Sequence, residues 1–275
     1  MEKKIAIQGI KGSFHHLVAK EYFYDTVSVH ECLSFDALVD SLLKKSSDQA
    51  VMAIENSIAG SIIPNYALID NNNLHITGEH YINVHQNLMA LPNQNIDDIK
   101  EVYSHPMALL QCKEFFRQYP NIKLVEDADT AEVAKRIHDK KLKGVGAIAS
   151  IAAAELYELK ILAKEIQTIK NNATRFVIVN TKNSLLSEKE INKASLKFEL
   201  DHKRGSLATI LNVMSDCKLN LTKIQSLPKI ETPWKYYFFV DVTFDTYNDY
   251  AKAKSILEIM AEHFKVLGEY KNAQL

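Results

Sequence analysis

Cysteine is scarce in this chain, and what there is does not pair up. Cys32, Cys112 and Cys217 are far apart and odd in number, so neither a disulfide framework nor metal-ligand spacing emerges, and a reducing cytosol is the compartment expected. Each lies in an apolar helical or loop context, where a buried, inert thiol is the usual state. An excess of one charge is also lacking. The formal net charge is -1, which argues against a nucleic-acid partner; the short basic cluster Lys140-Lys141 with Lys143 reads as a solvated helix end. Long hydrophobic runs are missing too. After Met1-Glu2-Lys3-Lys4 the apolar Ile5-Ala6-Ile7 is far too short for a signal peptide, and no stretch reaches the length of a membrane span. What remains is a soluble intracellular protein of 275 residues, 47% hydrophobic and 24% charged, enough for one large domain or two ordinary ones.

The most informative segment is Asn171-Asn172-Ala173-Thr174-Arg175-Phe176, followed by Val177-Ile178-Val179. The β-branched run reads as a buried strand, so two amides, a hydroxyl and a fixed cation stand at its entry. Arginine presents a planar fork suited to carboxylates, and a neighbouring hydroxyl can donate to a leaving group without adding negative charge. The cluster fits a small anionic substrate. The bland alternative is a surface arginine in a strand-entry loop.

Upstream, one pattern recurs. Ile5-Ala6-Ile7 predicts a short strand; Gly9, Gly12 and Ser13 make the turn after it, and Ser13 caps a helix from Phe14 to Tyr24. Such a unit points backbone N–H groups at an anion above the strand, but the third glycine of a dinucleotide fingerprint is missing. His15 and His16 are assigned solvated or packing roles. A helix over Phe35 to Lys45 precedes Ala50-Val51-Met52-Ala53-Ile54, a run typical of a strand covered on both faces. Glu55-Asn56-Ser57 and Gly60-Ser61 follow, then a helix near Pro64 to Ile69. Polar residues at the C-terminal end of a buried strand stand where open α/β sheets bind ligands; Glu55 is either a general acid or a structural acceptor. Val102-Tyr103 predicts a strand, then Ser104-His105-Pro106 opens a helix to Gln118. Asp129-Thr130 cap a helix through Ile137; Gly146 to Ala149 is a strand, and Ser150 caps a helix from Ile151 to Tyr157. Repeated strand–serine–helix junctions point to a cleft floored by helix N-termini and hydroxyls. Tyr81 to Leu91 reads as a strand crossing between two lobes, with Thr174 to Val179 crossing back and hinges near 78–86 and 170–178.

Asn180 to Lys193 is polar and reads as a linker. Beyond it come a strand (Ser195 to Asp201), a helix (Gly205 to Ser215), strands (Leu219 to Ser226 and Trp234 to Phe244), a helix (Tyr250 to His263) and a last strand (Phe264 to Gly268). The order βαββαβ is the ferredoxin-like arrangement.

Taken together, Gly9-Ile10-Lys11-Gly12-Ser13-Phe14, Ile54-Glu55-Asn56-Ser57 with Gly60-Ser61, Ser104-His105-Pro106 with Gln111-Cys112, and Asn172-Ala173-Thr174-Arg175-Phe176 resemble the prephenate dehydratase family over nearly the whole chain. The resemblance implies an α/β catalytic part of two lobes of periplasmic-binding-protein type II, residues 1–182, with lobes of about 1–78 with 172–182 and 79–171. A linker at 183–194 and a C-terminal ACT sensor domain at 195–275 follow. No chorismate mutase segment precedes Met1, so the monofunctional form is expected. The implied reaction expels carbon dioxide and hydroxide from prephenate to give phenylpyruvate on the route to phenylalanine. Aromatisation drives it, and no metal or organic cofactor is expected.

By resemblance Thr174 donates to the departing oxygen, with a relay to Glu55, His105 or water. Arg175 holds a carboxylate, its direction left open because adjacent strand residues face opposite ways. Asn56, Ser57, Ser104, His105, Asn172, Phe176 and the Ser13 turn complete the site. One departure lies just before the motif, where the family often has an acidic residue and this chain has Thr168. For the effector, Gly205-Ser206-Leu207 stands where the family has a Gly-Ala-Leu turn, and Asn220 lies in the segment leading to the second motif. Where that motif is usually Glu-Ser-Arg-Pro, this chain has Gln225-Ser226-Leu227-Pro228, which puts inhibition by L-phenylalanine in question. Pro233-Trp234-Lys235-Tyr236-Tyr237-Phe238-Phe239-Val240-Asp241 again fits, its rings read as a half-buried strand at a domain or subunit contact. Paired sensor domains make a homodimer or homotetramer the expected assembly. The rival readings are an arogenate dehydratase and a non-catalytic aromatic amino-acid sensor. An extracytoplasmic solute-binding protein fails for want of an export signal.

Overall fold

Short strands, several of them closed by a glycine, serine or proline, set the order of elements in the first two thirds of the chain. The computed structural model describes residues 3–24, 27–184, 186–201, 203–229, 232 and 234–274; Pro233 of the aromatic segment lies outside them. In chain order the elements are β1 (Lys3–Gln8), α1 (Phe14–Phe23), β2 (Val27–Cys32), α2 (Phe35–Leu43), β3 (Gln49–Asn56), β4 (Gly60–Ser61), α3 (Ile63–Asn71) and β5 (His75–Asn83). Next are β6 (Asn87–Ala90), β7 (Glu101–Ser104), α4 (Pro106–Cys112), β8 (Lys123–Glu126), α5 (Thr130–Lys140), β9 (Val145–Ala149), α6 (Ile151–Leu156), β10 (Lys160–Ala163) and β11 (Ala173–Asn180). The last are β12 (Lys193–Glu199), α7 (Ser206–Asp216), β13 (Asn220–Pro228), β14 (Tyr236–Thr243), α8 (Tyr247–Met260) and β15 (Glu262–Tyr270). They form two compact units: Met1–Gly60 with Tyr81–Phe176, and Ser61–His80 with Val177–Leu275. Among the described residues no helix is long and apolar enough to cross a membrane.

The first unit is the two-sheet α/β arrangement expected of a binding-protein type fold. One sheet runs β2-β1-β3-β11-β5, where β5 and β11 are the strands that carry the chain across the division, and the other runs β10-β6-β9-β7-β8. Ala50 to Ile54 of β3 are all buried, as a doubly covered strand requires. Around the second sheet, small alanines of α5, α6 and β9 pack with Met89 on one side. Val102, Leu109 and Phe116 pack with Leu88 on the other.

Several boundaries differ from expectation. The single strand over Tyr81 to Leu91 is two, β5 and β6, in separate sheets; it breaks where Val84 N–H turns to Asn172 O at 2.7 Å. The helix expected from Pro106 to Gln118 ends at Cys112 and resumes only as a 3-10 turn. Strands β2, β8 and β10 were not foreseen; all three are sheet edges, half-exposed and therefore without the apolar run that betrays a central strand. Cys32 consequently lies in a strand. Cys32 and Cys112 are buried, and burial pushes the Cys112 thiol up to about 12, so it is inert; Cys217 is half-buried.

His15, given a solvated or packing role, is a packing residue. Its ring stands edge-on to Phe176 at 4.9 Å and near Phe35 at 5.6 Å, and its Nε2 accepts from Ala53 N–H at 3.3 Å. Burial holds its pKa down to about 3. A base whose pKa is lower folded than unfolded adds stability above its unfolded pKa, and that stability is lost as pH falls from about 6.5 towards 3. Between pH 7 and pH 5 the loss amounts to about 2 kcal/mol. Urea unfolding at the two pH values should show this loss, and His15→Gln should remove most of it; an unchanged pH dependence in the variant would assign the loss elsewhere.

In the second unit, β12 through β15 form a four-stranded antiparallel sheet in the order β13-β14-β12-β15, with α7 and α8 between strands as βαββαβ predicts. Ala194, Leu196 and Phe198 of β12 enter the core shared with the helices, among Ile210, Met214, Tyr250 and Leu257. Alternation turns Lys193, Ser195, Lys197 and Glu199 to the opposite face, yet they too are buried. That face is covered by α3 and the start of β5. Lys193 Nζ bonds both carboxylate oxygens of Glu79 at 2.9 Å, Lys197 and Lys265 both pair with Asp70, and Tyr66 meets the Phe239 ring at 5.2 Å. Trp234 is exposed, while Phe239 of the same aromatic stretch is buried.

Candidate active site

The junction of β3 with β11 gathers the residues singled out at the strand entry. Ser57 N–H donates to Ala173 O at 2.8 Å, and Ala173 N–H donates to Ser57 Oγ at 3.0 Å. This register sets Asn56 beside Thr174 and Glu55 beside Arg175. Asn56 Oδ1 accepts two backbone donors, Ile58 N–H at 2.9 Å and Ala59 N–H at 2.8 Å. Those two bonds decide which way the amide lies, so its Nδ2 must face β11. There it donates to Asn172 Oδ1 at 2.7 Å and to Thr174 Oγ1 at 2.8 Å. The Thr174 hydroxyl accepts from Asn56, which directs its own hydrogen elsewhere, and the accepted bond makes that hydrogen a stronger donor.

Asn172, fully buried, passes the arrangement on: its Nδ2 donates to Gln111 Oε1 at 3.1 Å, which also accepts from Gln86 Nε2 at 3.4 Å. Gln111 stands in the Gln111-Cys112 motif but was not assigned to the site. The only signal is its place one helix turn beyond Ser104-His105-Pro106; its partner Asn172 lies 61 positions away in sequence.

Arg175 Nη1 donates to Glu55 Oε1 at 3.3 Å, with Arg175 only 3% exposed. Successive strand residues face opposite ways, so this pair lies on the other face of the sheet from Thr174 and Asn56. Phe176 is buried against His15 and supports the strand from within. Ser57 Oγ also donates to Asn171 O at 3.4 Å, pinning the strand entry.

The turn after β1 is built as expected. Ser13 is the N-cap of α1 and accepts from His16 N–H at 3.3 Å, and Gly9 and Gly12 take φ of 86° and 91°. Two further N-caps, Ser150 and Asp129, close on it. Ser150, capping α6, donates from Oγ to Gly12 O at 2.6 Å, and Tyr157 OH donates to Lys11 O at 2.6 Å. Asp129 caps α5, and its Oδ2 lies so near Gly9 that a methyl there would stand 2.7 Å away. Gly9→Ala meets both this clash and the left-handed backbone, and should lower stability by about 2 kcal/mol; an unchanged urea midpoint would show that the turn relaxes freely. Ser104 is fully buried and donates to Ile148 O at 2.7 Å. His105 is the exposed N-cap of α4, its Nδ1 accepting from Met107 N–H at 3.2 Å.

With this geometry in view, comparison with known proteins decides the family. The family profile described as prephenate dehydratase matches residues 5–184. The chain belongs to the prephenate dehydratase family. A relative named arogenate dehydratase/prephenate dehydratase 2, from Arabidopsis thaliana, is 34% identical over 97% of this chain and 72% of its own length. A bifunctional chorismate mutase/prephenate dehydratase from Buchnera aphidicola is 33% identical over 85% of this chain; the match spans 62% of that relative's length. Among solved structures, the family member from Arthrobacter aurescens in complex with L-Phe superposes with a TM-score of 0.86 at 23% identity, covering 98% of this chain and 90% of its own, which shows the shared fold.

The residues expected to meet an effector are spread over the four-stranded sheet domain. Gly205, at φ 88°, is the N-cap of α7. Ser206 and Leu207 line a cavity of about 130 Å³ with Leu200, Asp201, Lys203, Trp234, Lys235, Tyr236 and Phe238. Asn220, Gln225, Ser226 and Pro228 belong to β13, an edge of the sheet, where Gln225 Nε2 donates to Ser226 O at 2.9 Å.

Proposed function

We propose that this chain is a carbon–oxygen lyase that converts prephenate to phenylpyruvate, carbon dioxide and hydroxide leaving together. The observation that carries the reading is the locked Asn56 amide on Thr174 Oγ1. A threonine that accepts from a fixed amide presents its hydrogen to a leaving oxygen. Thr174 is too weak an acid to give up a full proton, so it stabilises the departing hydroxide by hydrogen bonding. A relay through His105 or water completes the transfer, because Glu55 is turned with Arg175 to the other face of the sheet. Ser13 and His105, at helix N-termini, are assigned to the substrate's carboxylates, with Ser57 and Ser104 framing the site. Asn172 holds Asn56, and Phe176 backs the strand. Arg175 contributes a fixed positive charge behind Thr174, placed by Glu55.

We assign residues 1–182 to catalysis and 183–194 to a linker. Residues 195–275 form an ACT sensor domain, with L-phenylalanine as effector at the Gly205-Ser206-Leu207 turn and edge-paired domains giving a dimer or tetramer in the cytosol. Formation of phenylpyruvate from prephenate, followed by its enolate absorbance in alkali with and without L-phenylalanine, tests both parts. Rapid formation suppressed by phenylalanine supports enzyme and sensor. Formation without suppression retires the sensor and points to Gln225 and Leu227. No product from prephenate or from arogenate overturns the enzyme.

A further inference from the structure

Asp129 was read from sequence only as a helix cap, and half of its carboxylate is used that way. Oδ1 accepts Ala131 N–H at 2.8 Å and Glu132 N–H at 2.9 Å. The other oxygen is turned to the Gly9 turn, where a methyl on Gly9 would stand 2.7 Å from Oδ2 and 3.5 Å from Ser13 Cβ. Oδ2 thus stands at the Gly9 turn, on the side where Ser13 caps α1. Ser13 and His105 are the two donors assigned above to the substrate.

We infer that Asp129 is a specificity-determining residue, its Oδ2 receiving the ammonium group that distinguishes arogenate from prephenate. This rests on the reading of the site as that of a dehydratase. Prephenate and arogenate share both carboxylates and the ring hydroxyl and differ only where a keto oxygen is replaced by an ammonium. A carboxylate placed among the donors that hold the common part can separate them, because it is attracted to the ammonium and repelled by the rest of the anionic substrate. Near two carboxylates alone such an oxygen is repelled; beside an ammonium it gains a charge-assisted hydrogen bond. Burial raises the pKa of Asp129, opposed by the backbone N–H bonds of Glu132 and Ala131 and then by His105, with Asp127 adding to the rise. An ammonium would supply the compensating charge.

Asp129→Asn tests this without removing the cap, because asparagine caps a helix as well as aspartate does. Steady-state kcat/KM is measured for both substrates on wild type and variant, and the thermal midpoint confirms the fold. The arogenate-to-prephenate ratio of kcat/KM should fall at least tenfold in Asp129→Asn, with the loss in the KM for arogenate, and Asp129→Glu should recover part of it. An unchanged ratio overturns the assignment, as does a wild type that turns over prephenate but not arogenate. A wild type that turns over neither overturns the dehydratase reading itself, and this inference with it.

Discussion

Thr174→Ala should fold as the wild type does and lose roughly 10²- to 10³-fold in kcat, the usual cost of one donor aimed at developing charge. The fold is expected to survive because the lost hydroxyl accepts from Asn56 Nδ2, which keeps Asn172 Oδ1 at 2.7 Å as a partner. The chemistry is expected to suffer because Asn56 is fixed by Ile58 and Ala59 and cannot reach further to replace the missing donor. Thr174→Ser, which keeps the oxygen, should retain much of the rate, and this separates the hydroxyl from the methyl. KM should move little in both variants, since a donor to the leaving group acts in the transition state. A Thr174→Ala enzyme within a few-fold of the wild-type rate would remove Thr174 from the mechanism and shift the role of donor to another group.

The second large effect concerns stability. Lys193→Met should destabilise the protein by about 3–5 kcal/mol, which for a chain of this size is a fall of about 10 °C in Tm. Lys193 and Glu79 are 2% and 0% exposed, and both carboxylate oxygens bond the ammonium at 2.9 Å. Ala273 N–H adds a bond to Glu79 Oε1 at 3.0 Å. Deleting the cation leaves a buried carboxylate without its counter-charge, and that penalty, more than the lost attraction, sets the size of the effect. The double variant Lys193→Met/Glu79→Leu should recover most of the loss, since a buried pair can be replaced by apolar groups of similar volume at little cost. A single variant that costs under about 1 kcal/mol would mean that water or another cation reaches Glu79, and that the pair does not hold β5 to β12.

Particular residues show which features were legible. Ser13, Asp129 and Ser150 announced helix starts, and each accepts from a backbone N–H two or three positions ahead. The βαββαβ order followed from where alternating strands gave way to helical spacing, and the four-stranded sheet agrees with it. Edge strands such as β10 escaped because one side faces solvent and no apolar run is needed there. Phe176 was grouped with the substrate contacts by its place in the motif; that its ring turns inward to His15 depends on which strand face it occupies.

The sequence by itself determined the elements, their caps and the motif that places a hydroxyl and a cation at a strand entry, because periodicity and capping act within a few residues. Only the tertiary structure decided that Asn56 orients Thr174 across 118 positions and that Glu79 neutralises Lys193 across 114. It also decided that Arg175 turns to Glu55 and away from its neighbour. Those pairings are set by strand register, and register is fixed by packing between segments distant in sequence.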